Sequence, residues 1–332
     1  MLSCLQGKVV GRENAVEVKQ KWRFAFIVHP RNLDEILLKY PLLRSLPRDR
    51  VAAILKRMRP FPVSPIVRFK ESDAEELGWL LATPLTPDLM EKDPDLARRK
   101  IHDAVEIAQQ SGANLVGLGG WNASLSHHGR DLSHSQIAVT TGLTMTVATI
   151  LSDIAEIFRW KGILMREATV AVVGSGGAVG RAARLQLQGK VKRLLSLSAQ
   201  QKERSCIQEV DLVLVATRAM GPVLDPEDLK KGAIIYDVSQ PSNVPSDLCA
   251  ARPDIVALQG GLVRTPGIDY GPFLGLPPET AFACLAETVL LSLEGKLPKS
   301  PQGAISPVRV REMPERAKRY GFISAMKLGG KA

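Results

Sequence analysis

Residues 169–187, TVAVVGSGGAVGRAARLQL, decide the fold of this chain. They begin as a run of apolar residues typical of a buried parallel strand, pass through a cluster of glycines, and continue as a helix. Glycines at such a turn let the backbone come close to a pyrophosphate, which the N–H groups of the following helix N-terminus bind. The stretch therefore predicts a dinucleotide site. The residues that we expect to hold the cofactor here are Gly174, Ser175, Gly176, Gly177, Ala178, Val179 and Gly180.

The glycine spacing departs from the plain GxGxxG pattern because Gly180 comes one residue late, and GxxGxxG, counted from Gly174, fits equally well. A glycine-rich motif alone is a weak signal. This one lies within five short β-rich runs separated by polar or helical pieces, which makes a turn that binds nothing the less favoured interpretation. The five runs are ATVAVVG, RLLSLS, DLVLVAT, AIIYDVS and DIVALQGG.

The length of 332 residues is too great for one ordinary core and indicates two domains. The alternating strands predict an α/β fold, a Rossmann-like doubly wound parallel sheet preceded by an N-terminal α+β substrate domain. We expect the substrate domain at residues 1–160, ending in a long connecting helix, and the NADP-binding domain at residues 161–276. Residues 277–332 are expected to form C-terminal helices that pack back on the substrate domain. The hydrophobic spacing predicts that residues 1–60 are mainly helical.

The composition is that of a globular, enzyme-sized protein, with 45% hydrophobic and 23% charged residues. No apolar run reaches the length of a membrane span, and the first residues lack the apolar core of a secretory signal. We therefore expect a cytoplasmic protein without a transmembrane segment. The four cysteines are scattered and form no CxxC pair, which argues against disulfides and against a metal site. They are Cys4, Cys206, Cys249 and Cys284.

The formal net charge is +10, and much of it lies in residues 44–70, where eight cations accompany a single acid, Asp49. Such a basic region attracts nucleic acid, anionic lipid or an acidic protein, and a solvated helix face explains it equally well. Aromatic residues are not interleaved with it, so nucleic acid is the least favoured partner, whereas peripheral membrane contact stays open. The cations are Arg44, Arg48, Arg50, Lys56, Arg57, Arg59, Arg68 and Lys70.

The end of the second strand-like run bears on the choice of cofactor. NAD sites usually carry Asp or Glu there, whereas this run ends in Ser198, with Lys202 and Arg204 just beyond it. Hydroxyls and cations suit a 2′-phosphate, so NADP is favoured. Ligands of such sheets lie at the carboxyl ends of the strands, which adds four candidate cofactor contacts. These are Thr217, Asp237, Gly260 and Gly261, and a turn or cap role for Asp237 is equally favoured.

Cys284 lies in the stretch PETAFACLAE, residues 278–287. Pro277 and Pro278 are typical of a helix start, which would place Cys284 in the second turn, with Ala281 and Thr288 on its face. There the benefit of the helix dipole to a thiolate is already fading. Taken alone, these residues favour a buried structural cysteine. The candidate activating bases are distant in sequence and are His127, His128 and His134.

Several segments taken together resemble the long-chain acyl-[acyl-carrier-protein] reductases, over roughly residues 62–323. Each segment is unspecific alone, and the combination in this order is specific. The segments are LVGLGGWNASL, TTGLTMT, TVAVVGSGGAVGRA, VLDPEDLKKGAIIYDVSQPSNV, DIVALQGGLV, AFACLAETVLLSLEG and RYGF.

The resemblance implies a reaction in which NADPH reduces a fatty acyl thioester to an aldehyde through an acyl group carried on a cysteine. The cysteine of the family's FAC-x-AE context falls on Cys284. A thiolate attacks a thioester at little cost because one thioester replaces another. The basic region at 44–70 would receive an acidic acyl carrier protein. The substrate is expected along Gly119, Gly120, Trp121, Thr140, Thr141 and Gly142, although a tight packing contact explains the small residues at 140–142 as well.

The sequence departs from the family pattern at three places. Leu143 replaces an asparagine, the segment after the second strand is short, and Trp121 adds bulk where the acyl group would run. A shorter or different acyl group is therefore an alternative. Two further alternatives stay open: a shikimate-dehydrogenase-like NADP-dependent oxidoreductase that forms no acyl-enzyme, and a nonenzymatic NADP-binding protein.

Overall fold

The computed structural model describes residues 6–9, 16–19, 22–63, 67–69, 76–133, 135–198, 200, 205–296 and 305–328. The strands are β1 (Gln6–Val9), β2 (Val16–Lys19), β3 (Phe24–Val28), β4 (Phe61–Pro62), β5 (Val67–Phe69), β6 (Glu76–Ala82), β7 (Leu115–Leu118), β8 (Ala138–Thr140), β9 (Thr169–Val173), β10 (Arg193–Leu197), β11 (Leu212–Val215), β12 (Ile234–Asp237), β13 (Val256–Gln259), β14 (Leu262–Arg264), β15 (Ile268–Asp269), β16 (Thr280–Phe282) and β17 (Ile323–Ser324). The α-helices are α1 (Leu33–Lys39), α2 (Arg48–Arg57), α3 (Pro87–Lys92), α4 (Pro94–Gln110), α5 (Trp121–Leu125), α6 (Leu143–Lys161), α7 (Ala178–Leu187), α8 (Leu248–Ala251), α9 (Ala283–Glu294) and α10 (Pro307–Lys318).

The chain divides into two compact units. Unit 1 comprises Met1–Gly142, Arg264–Ser306 and Glu315–Ile323, and unit 2 comprises Leu143–Val263, Pro307–Pro314 and Ser324–Ala332. The division after Gly142 differs from the predicted boundary near residue 160. The reason is that α6 packs on the sheet of unit 2, where its residues Ile150, Ile154 and Ile157 join Val170 and Val172 in one apolar cluster. The long helix therefore belongs to the second core and does not merely lead to it.

The sheet of unit 2 has five parallel strands in the order β10-β9-β11-β12-β13. All five predicted strands are confirmed, as is the α/β, doubly wound, Rossmann-like class. The helices α6 and α7 cover one face of this sheet. The other face is covered by residues of loops and short helices, among them Ile207, Leu224 and Leu248. The chain leaves β9 for the edge strand β10 and returns to β11 on the opposite side, so the carboxyl ends of β9 and β11 flank the point where the strand order reverses.

The sheet of unit 1 is mixed, in the order β15-β5-β6-β3-β7-β8, with β4 beside β6. Its strands β6, β3, β7 and β8 run parallel, whereas β4, β5 and β15 are antiparallel to their neighbours. The prediction that residues 1–60 are mainly helical is confirmed for α1 and α2 but misses β3, which lies at the centre of this sheet. Its sequence FAFIV is a short apolar run, and periodicity does not separate such a run from a buried helix segment. One face of the sheet packs against α4, and α9 packs on β3 and β7.

Within unit 2, α6 brings a carboxylate into the core. Asp153 is buried, and the hydroxyl of Tyr236 donates a hydrogen bond to its Oδ2. The Gly261 N–H donates in turn to the Tyr236 hydroxyl oxygen at 3.2 Å. Burial raises the pKa of Asp153 to about 6, and hydrogen bonds from Ser324 and Tyr236 oppose the shift only in part.

The raised pKa of Asp153 predicts a pH-dependent stability. The pKa of Asp153 in the folded state lies above the value of about 3.9 in an unfolded chain. Its contribution to the free energy of unfolding is therefore fully present below about pH 4 and is lost as the pH rises through 6. The variant Asp153→Asn cannot ionise at this position. As the pH rises from 4 to 7, we therefore expect the free energy of unfolding of the variant to increase relative to that of wild type by up to about 3 kcal/mol. Urea unfolding of both proteins at several pH values measures the difference. A difference that stays constant with pH would contradict the assignment.

Candidate functional site

The glycine-rich turn of unit 2 follows β9 directly and leads into α7, with Gly177 at the N-cap. Two of its glycines are required by packing. Gly174 has φ +88°, and a Cβ there would lie 2.3 Å from the Ala216 carbonyl oxygen. A Cβ on Gly180 would lie 2.3 Å from the Gly174 carbonyl oxygen. These glycines let the strand, the turn and the helix come together, as a dinucleotide turn requires.

The middle of the same turn faces open space. No atom lies within 4 Å of a Cβ built on Gly176, and Gly176 and Gly177 are both exposed. The N–H groups in the first turn of α7, at Ala178 and Val179, have no acceptor within the helix. The turn therefore offers backbone donors beside an uncovered surface, which fits a pyrophosphate. The Ser175 hydroxyl is used locally and donates to the Leu197 carbonyl oxygen at 3.2 Å.

Four of the other predicted cofactor residues follow β10 or β11 in the sequence, namely Ser198, Lys202, Arg204 and Thr217. Ser198 is exposed at the end of β10, where its hydroxyl donates to Gln200 Oε1 at 2.5 Å. Lys202 and Arg204 lie outside the described residues. Thr217 follows β11, beside the glycine-rich turn, and its N–H donates to the Ser239 hydroxyl at 3.1 Å. Ser198 and Thr217 thus remain at the carboxyl ends of strands.

Asp237, Gly260 and Gly261 serve the packing of unit 2. Asp237 Oδ1 accepts from the Ser239 N–H at 2.8 Å, and its Oδ2 accepts from the Ser242 hydroxyl and the Asn243 N–H at 2.7 and 2.9 Å. A Cβ on Gly260 would lie 2.2 Å from the Tyr236 ring. The Asp237 carboxylate is therefore a turn-forming group, and both glycines lie against Tyr236.

Cys284 lies in the first turn of α9 because the helix begins at Ala283. The predicted start at Pro277 and Pro278, which would put Cys284 in the second turn, is wrong. Glu279 has φ +56°, a left-handed conformation that no helix can pass through, and β16 follows it. Ala281 consequently belongs to that strand. Thr288 does lie one turn after Cys284, and its hydroxyl donates to the Cys284 carbonyl oxygen at 3.0 Å.

The Thr140–Thr141–Gly142 segment holds the first turn of α9. It lies between two elements, because β8 ends at Thr140 and α6 begins only at Leu143. Gly142 has φ +65°, and a Cβ there would lie 2.1 Å from the Cys284 Cα. The backbone of Cys284 thus occupies the space beside Gly142, so the packing explanation holds at this glycine.

Glu287 lies one helical turn after Cys284 and is 2% exposed. The Thr140 hydroxyl donates to its Oε1 at 2.8 Å and accepts from the Gly142 N–H at 3.2 Å. A single threonine at the end of β8 therefore connects the turn under Cys284 with the carboxylate of Glu287. Nothing in the sequence marks Glu287 as a buried residue, because an acid on a helix ordinarily faces solvent.

The Cys284 thiol is half-buried, and its surroundings act on it in opposite directions. Burial raises the pKa of the thiol to about 12, and the negative charge of Glu287 acts in the same direction. The backbone N–H groups of Cys284 and Leu285, at the start of α9, favour the thiolate but do not outweigh burial. The thiol is therefore protonated at neutral pH, and only its small thiolate fraction reacts unless a neighbouring group accepts the thiol proton.

A histidine that sequence reasoning missed holds the turn after β7. The Trp121 N–H donates to His29 Nε2 at 3.1 Å, so Nδ1 carries the proton and donates to the Pro30 carbonyl oxygen at 3.0 Å. Burial lowers the pKa of His29. A Cβ on Gly120, which has φ +53°, would lie 2.6 Å from His29 Nε2, and one on Gly119 would lie 2.9 Å from the Phe26 ring. Gly119 and Gly120 therefore let this turn close around a neutral, structural histidine.

The structure places Trp121 in a core and His127 at the surface. Trp121 is buried in an apolar cluster with Val51 and Leu85. His127 is exposed, and its Nδ1 lies 2.8 Å from Asp131 Oδ2. His128 follows it in a left-handed conformation with φ +60°, and His134 lies outside the described residues.

Two exposed apolar residues, Leu38 (71%) and Leu42 (89%), precede the basic region at 44–70. The described cations of that region are exposed, and they are Arg44, Arg48, Arg50, Lys56, Arg57, Arg59 and Arg68, whereas Lys70 is outside the described residues.

No family model matches the chain. It is 30% identical over 232 residues to the long-chain acyl-[acyl-carrier-protein] reductase of Synechococcus elongatus, covering 60% of this chain and 67% of that protein. The chain is a distant relative of that reductase. It is also 28% identical over 273 residues to the aminotransferase PigE of a Serratia species, spanning 74% of this chain but only 32% of that protein. Among solved structures, the Trypanosoma brucei methylenetetrahydrofolate dehydrogenase-cyclohydrolase complexed with NADP aligns with a TM-score of 0.37 and 14% identity, over 83% of this chain and 88% of its own.

The described part of the chain shows neither a membrane-spanning helix nor a metal-binding cluster. Every helix there is too short or too polar to cross a bilayer. No group of three or more side chains there, drawn from His, Cys, Asp and Glu, is arranged to hold a metal ion.

The contact between Gly142 and Cys284 predicts a specific loss of stability. Gly142→Ala adds a methyl group at a left-handed φ and against the Cys284 backbone, whereas Gly162→Ala adds one at φ +68° with no atom within 4 Å. We expect about 1 kcal/mol of strain in the second variant and about 2 kcal/mol more in the first, because the backbone under α9 must move. Equilibrium unfolding of both variants measures the two losses. Equal losses would mean that the packing against Cys284 contributes nothing.

Proposed function

We propose that the protein is an NADPH-dependent oxidoreductase that reduces an acyl thioester to an aldehyde through an acyl group carried on Cys284. The observation that carries the proposal is the place of Cys284 in the first turn of α9, where two backbone N–H groups favour a thiolate. The distant relation to a long-chain acyl-[acyl-carrier-protein] reductase supports the same reaction. The glycine-rich turn after β9 supports the need for a dinucleotide.

The residues present fit the cofactor. The open surface at Gly176 and the free N–H groups of Ala178 and Val179 would hold its pyrophosphate. The hydroxyl of Ser198 at the end of β10 would receive a 2′-phosphate, together with Lys202 and Arg204, which flank Glu203 in the sequence beyond that strand. When bound, NADPH would supply the hydride that converts the acyl group on Cys284 into an aldehyde.

The acyl transfer itself needs only the residues of this chain and the substrate. The Cys284 sulfur attacks the carbonyl carbon of the incoming thioester, so that a new sulfur–carbon bond forms and the bond to the carrier sulfur breaks. The carrier leaves as a thiol with the proton that Cys284 loses. One thioester replaces another, so the step is close to balanced in free energy. The N–H groups of Cys284 and Leu285 stabilise the negative charge that develops on the sulfur.

The carrier in this proposal is an acidic acyl carrier protein that docks on the basic region at 44–70. The exposed cations of α2, Arg48, Arg50, Lys56 and Arg57, support this choice, because complementary charge steers association. Of the predicted substrate residues, Trp121 lies in a core, and Gly142 is covered by Cys284. We therefore propose Thr141, half-buried beside the sulfur-bearing turn, as the substrate contact in that segment.

A mass measurement tests the acyl-enzyme. Wild-type protein incubated with the thioester S-decanoyl-N-acetylcysteamine, without NADPH, should gain one decanoyl group, which peptide mapping should place on Cys284. Cys284→Ser should gain none. Cys249→Ser is the matched control, because Cys249 is an exposed cysteine of the same chain, and it should behave as wild type. Absence of an adduct on wild type, together with hydride transfer to a keto acid, would instead support a dehydrogenase that forms no acyl-enzyme.

A second variant tests the cofactor turn. Gly176→Val places its Cβ where no atom outside the adjacent residues lies within 4 Å, and Gly176 is exposed, so the thermal unfolding midpoint should change little. The valine side chain would stand in the path of a pyrophosphate, so we expect NADPH affinity to fall at least about tenfold, or 1.4 kcal/mol. Fluorescence titration with NADPH measures the affinity, and Gly176→Ala should give an intermediate loss. Unchanged binding in the valine variant would place the cofactor elsewhere.

A further inference from the structure

Cys284 and Glu287 share one face of α9. Residues three apart on a helix are neighbours, with about 5–6 Å between their Cβ atoms. Glu287 is 2% exposed, and the Thr140 hydroxyl donates to its Oε1 at 2.8 Å. A carboxylate is thus held, buried and oriented, within one turn of the half-buried thiol.

The strands that pack on α9 bring no acid or base to this face. Within the described chain, α9 packs on β3, β7 and β16, and Thr140 at the end of β8 bonds Glu287. The four strands read FAFIV, LVGL, TAF and AVT, without a titratable side chain. On α9 itself the next acid, Glu294, lies two turns further on and pairs with Arg316. Glu287 is therefore the carboxylate placed to act on Cys284.

The two groups cannot both carry a negative charge at low cost. The charge of Glu287 and the burial of the thiol both raise the pKa of Cys284, to about 12. Two neighbouring anions in a poorly solvated place repel each other strongly. If the proton moves from the sulfur to the carboxylate, the pair keeps a single negative charge throughout. The electrostatics that suppress a free thiolate therefore favour transfer of the proton within the pair.

We propose that Glu287 accepts the thiol proton of Cys284 as the sulfur attacks the acyl carbonyl, and then gives that proton to the departing carrier sulfur. The inference rests on the proposed function and names its proton acceptor. The S–H bond of Cys284 and the carrier's sulfur–carbon bond break, the Cys284 sulfur–carbon bond forms, and the carrier leaves as a neutral thiol. Glu287 begins and ends as a carboxylate. The spacing on α9 suits one bridging water or a direct contact after a change of rotamer.

Two reactions of the Cys284 sulfur distinguish proton transfer by Glu287 from a purely structural role of this residue. Transfer of the decanoyl group from S-decanoyl-N-acetylcysteamine requires a proton on the leaving sulfur, whereas alkylation by iodoacetamide releases iodide and requires none. In Glu287→Gln we expect acyl transfer at pH 7 to fall about 100-fold, the usual size of a general-base effect. Alkylation should be at least as fast as in wild type, with its pH midpoint moved lower, because a like charge has been removed. Glu294→Gln, the same change two turns along α9, should leave both rates near wild type.

The outcomes are distinct. Acyl transfer in Glu287→Gln within threefold of wild type overturns the proposal, and parallel losses of acyl transfer and alkylation also overturn it, since they indicate a structural role. Wild-type protein that is alkylated at Cys284 but never acylated refutes the proposed function itself. Should Glu287→Gln fail to fold, the wild-type pH profile decides. An acyl-transfer rate that is flat from pH 7 to 9 supports the proposal, and one that rises tenfold per pH unit, as a free thiolate demands, overturns it.

Discussion

The position of the Cys284 sulfur depends on residue 142 being a glycine, because the Cys284 backbone occupies the space that a side chain there would need. A Cβ there would lie 2.1 Å from the Cys284 Cα, so the first turn of α9 rests on the backbone that follows β8. Thr140 begins the same turn and bonds Glu287, so one contact region fixes both the thiol and the carboxylate. At Gly117, in β7, the Thr288 hydroxyl fills the space that another side chain would need. The thiol is thereby held at the carboxyl end of a parallel strand, where α/β proteins bind their ligands.

The surroundings of the Cys284 sulfur shift the pKa of its thiol in opposite directions. The start of a helix favours a thiolate, yet burial and Glu287 prevail and keep the thiol protonated. Such a thiol reacts slowly with electrophiles at neutral pH, because its thiolate fraction is small. The glycine-rich turn of unit 2 also combines closely packed and exposed backbone. There Gly174 and Gly180 pack closely against neighbouring backbone, while no atom lies within 4 Å of a Cβ built on Gly176.

The parts of the structure that the sequence predicted are those with long, regular patterns. The strands β9–β13 and the long helix α6 repeat apolar residues clearly, and a glycine follows α6 at residue 162. The missed features depend on contacts between distant residues. β3 is too short for its period to show, and the left-handed Glu279 delays α9 by several residues. Small residues such as those at 140–142 suit a ligand and a packed helix equally, so only the structure could distinguish the two at Gly142. Nothing local marks His29 or Glu287 as buried.

In the proposed reaction, the acyl group on Cys284 is the species that is reduced. A single turnover of the isolated acyl-enzyme, with NADPH deuterated at both C4 positions of the nicotinamide, tests this step. The acyl mass should leave Cys284, and the released aldehyde should carry one deuterium at its carbonyl carbon. An acyl-enzyme that persists in the presence of the cofactor, or an aldehyde without deuterium, would contradict the proposed reaction.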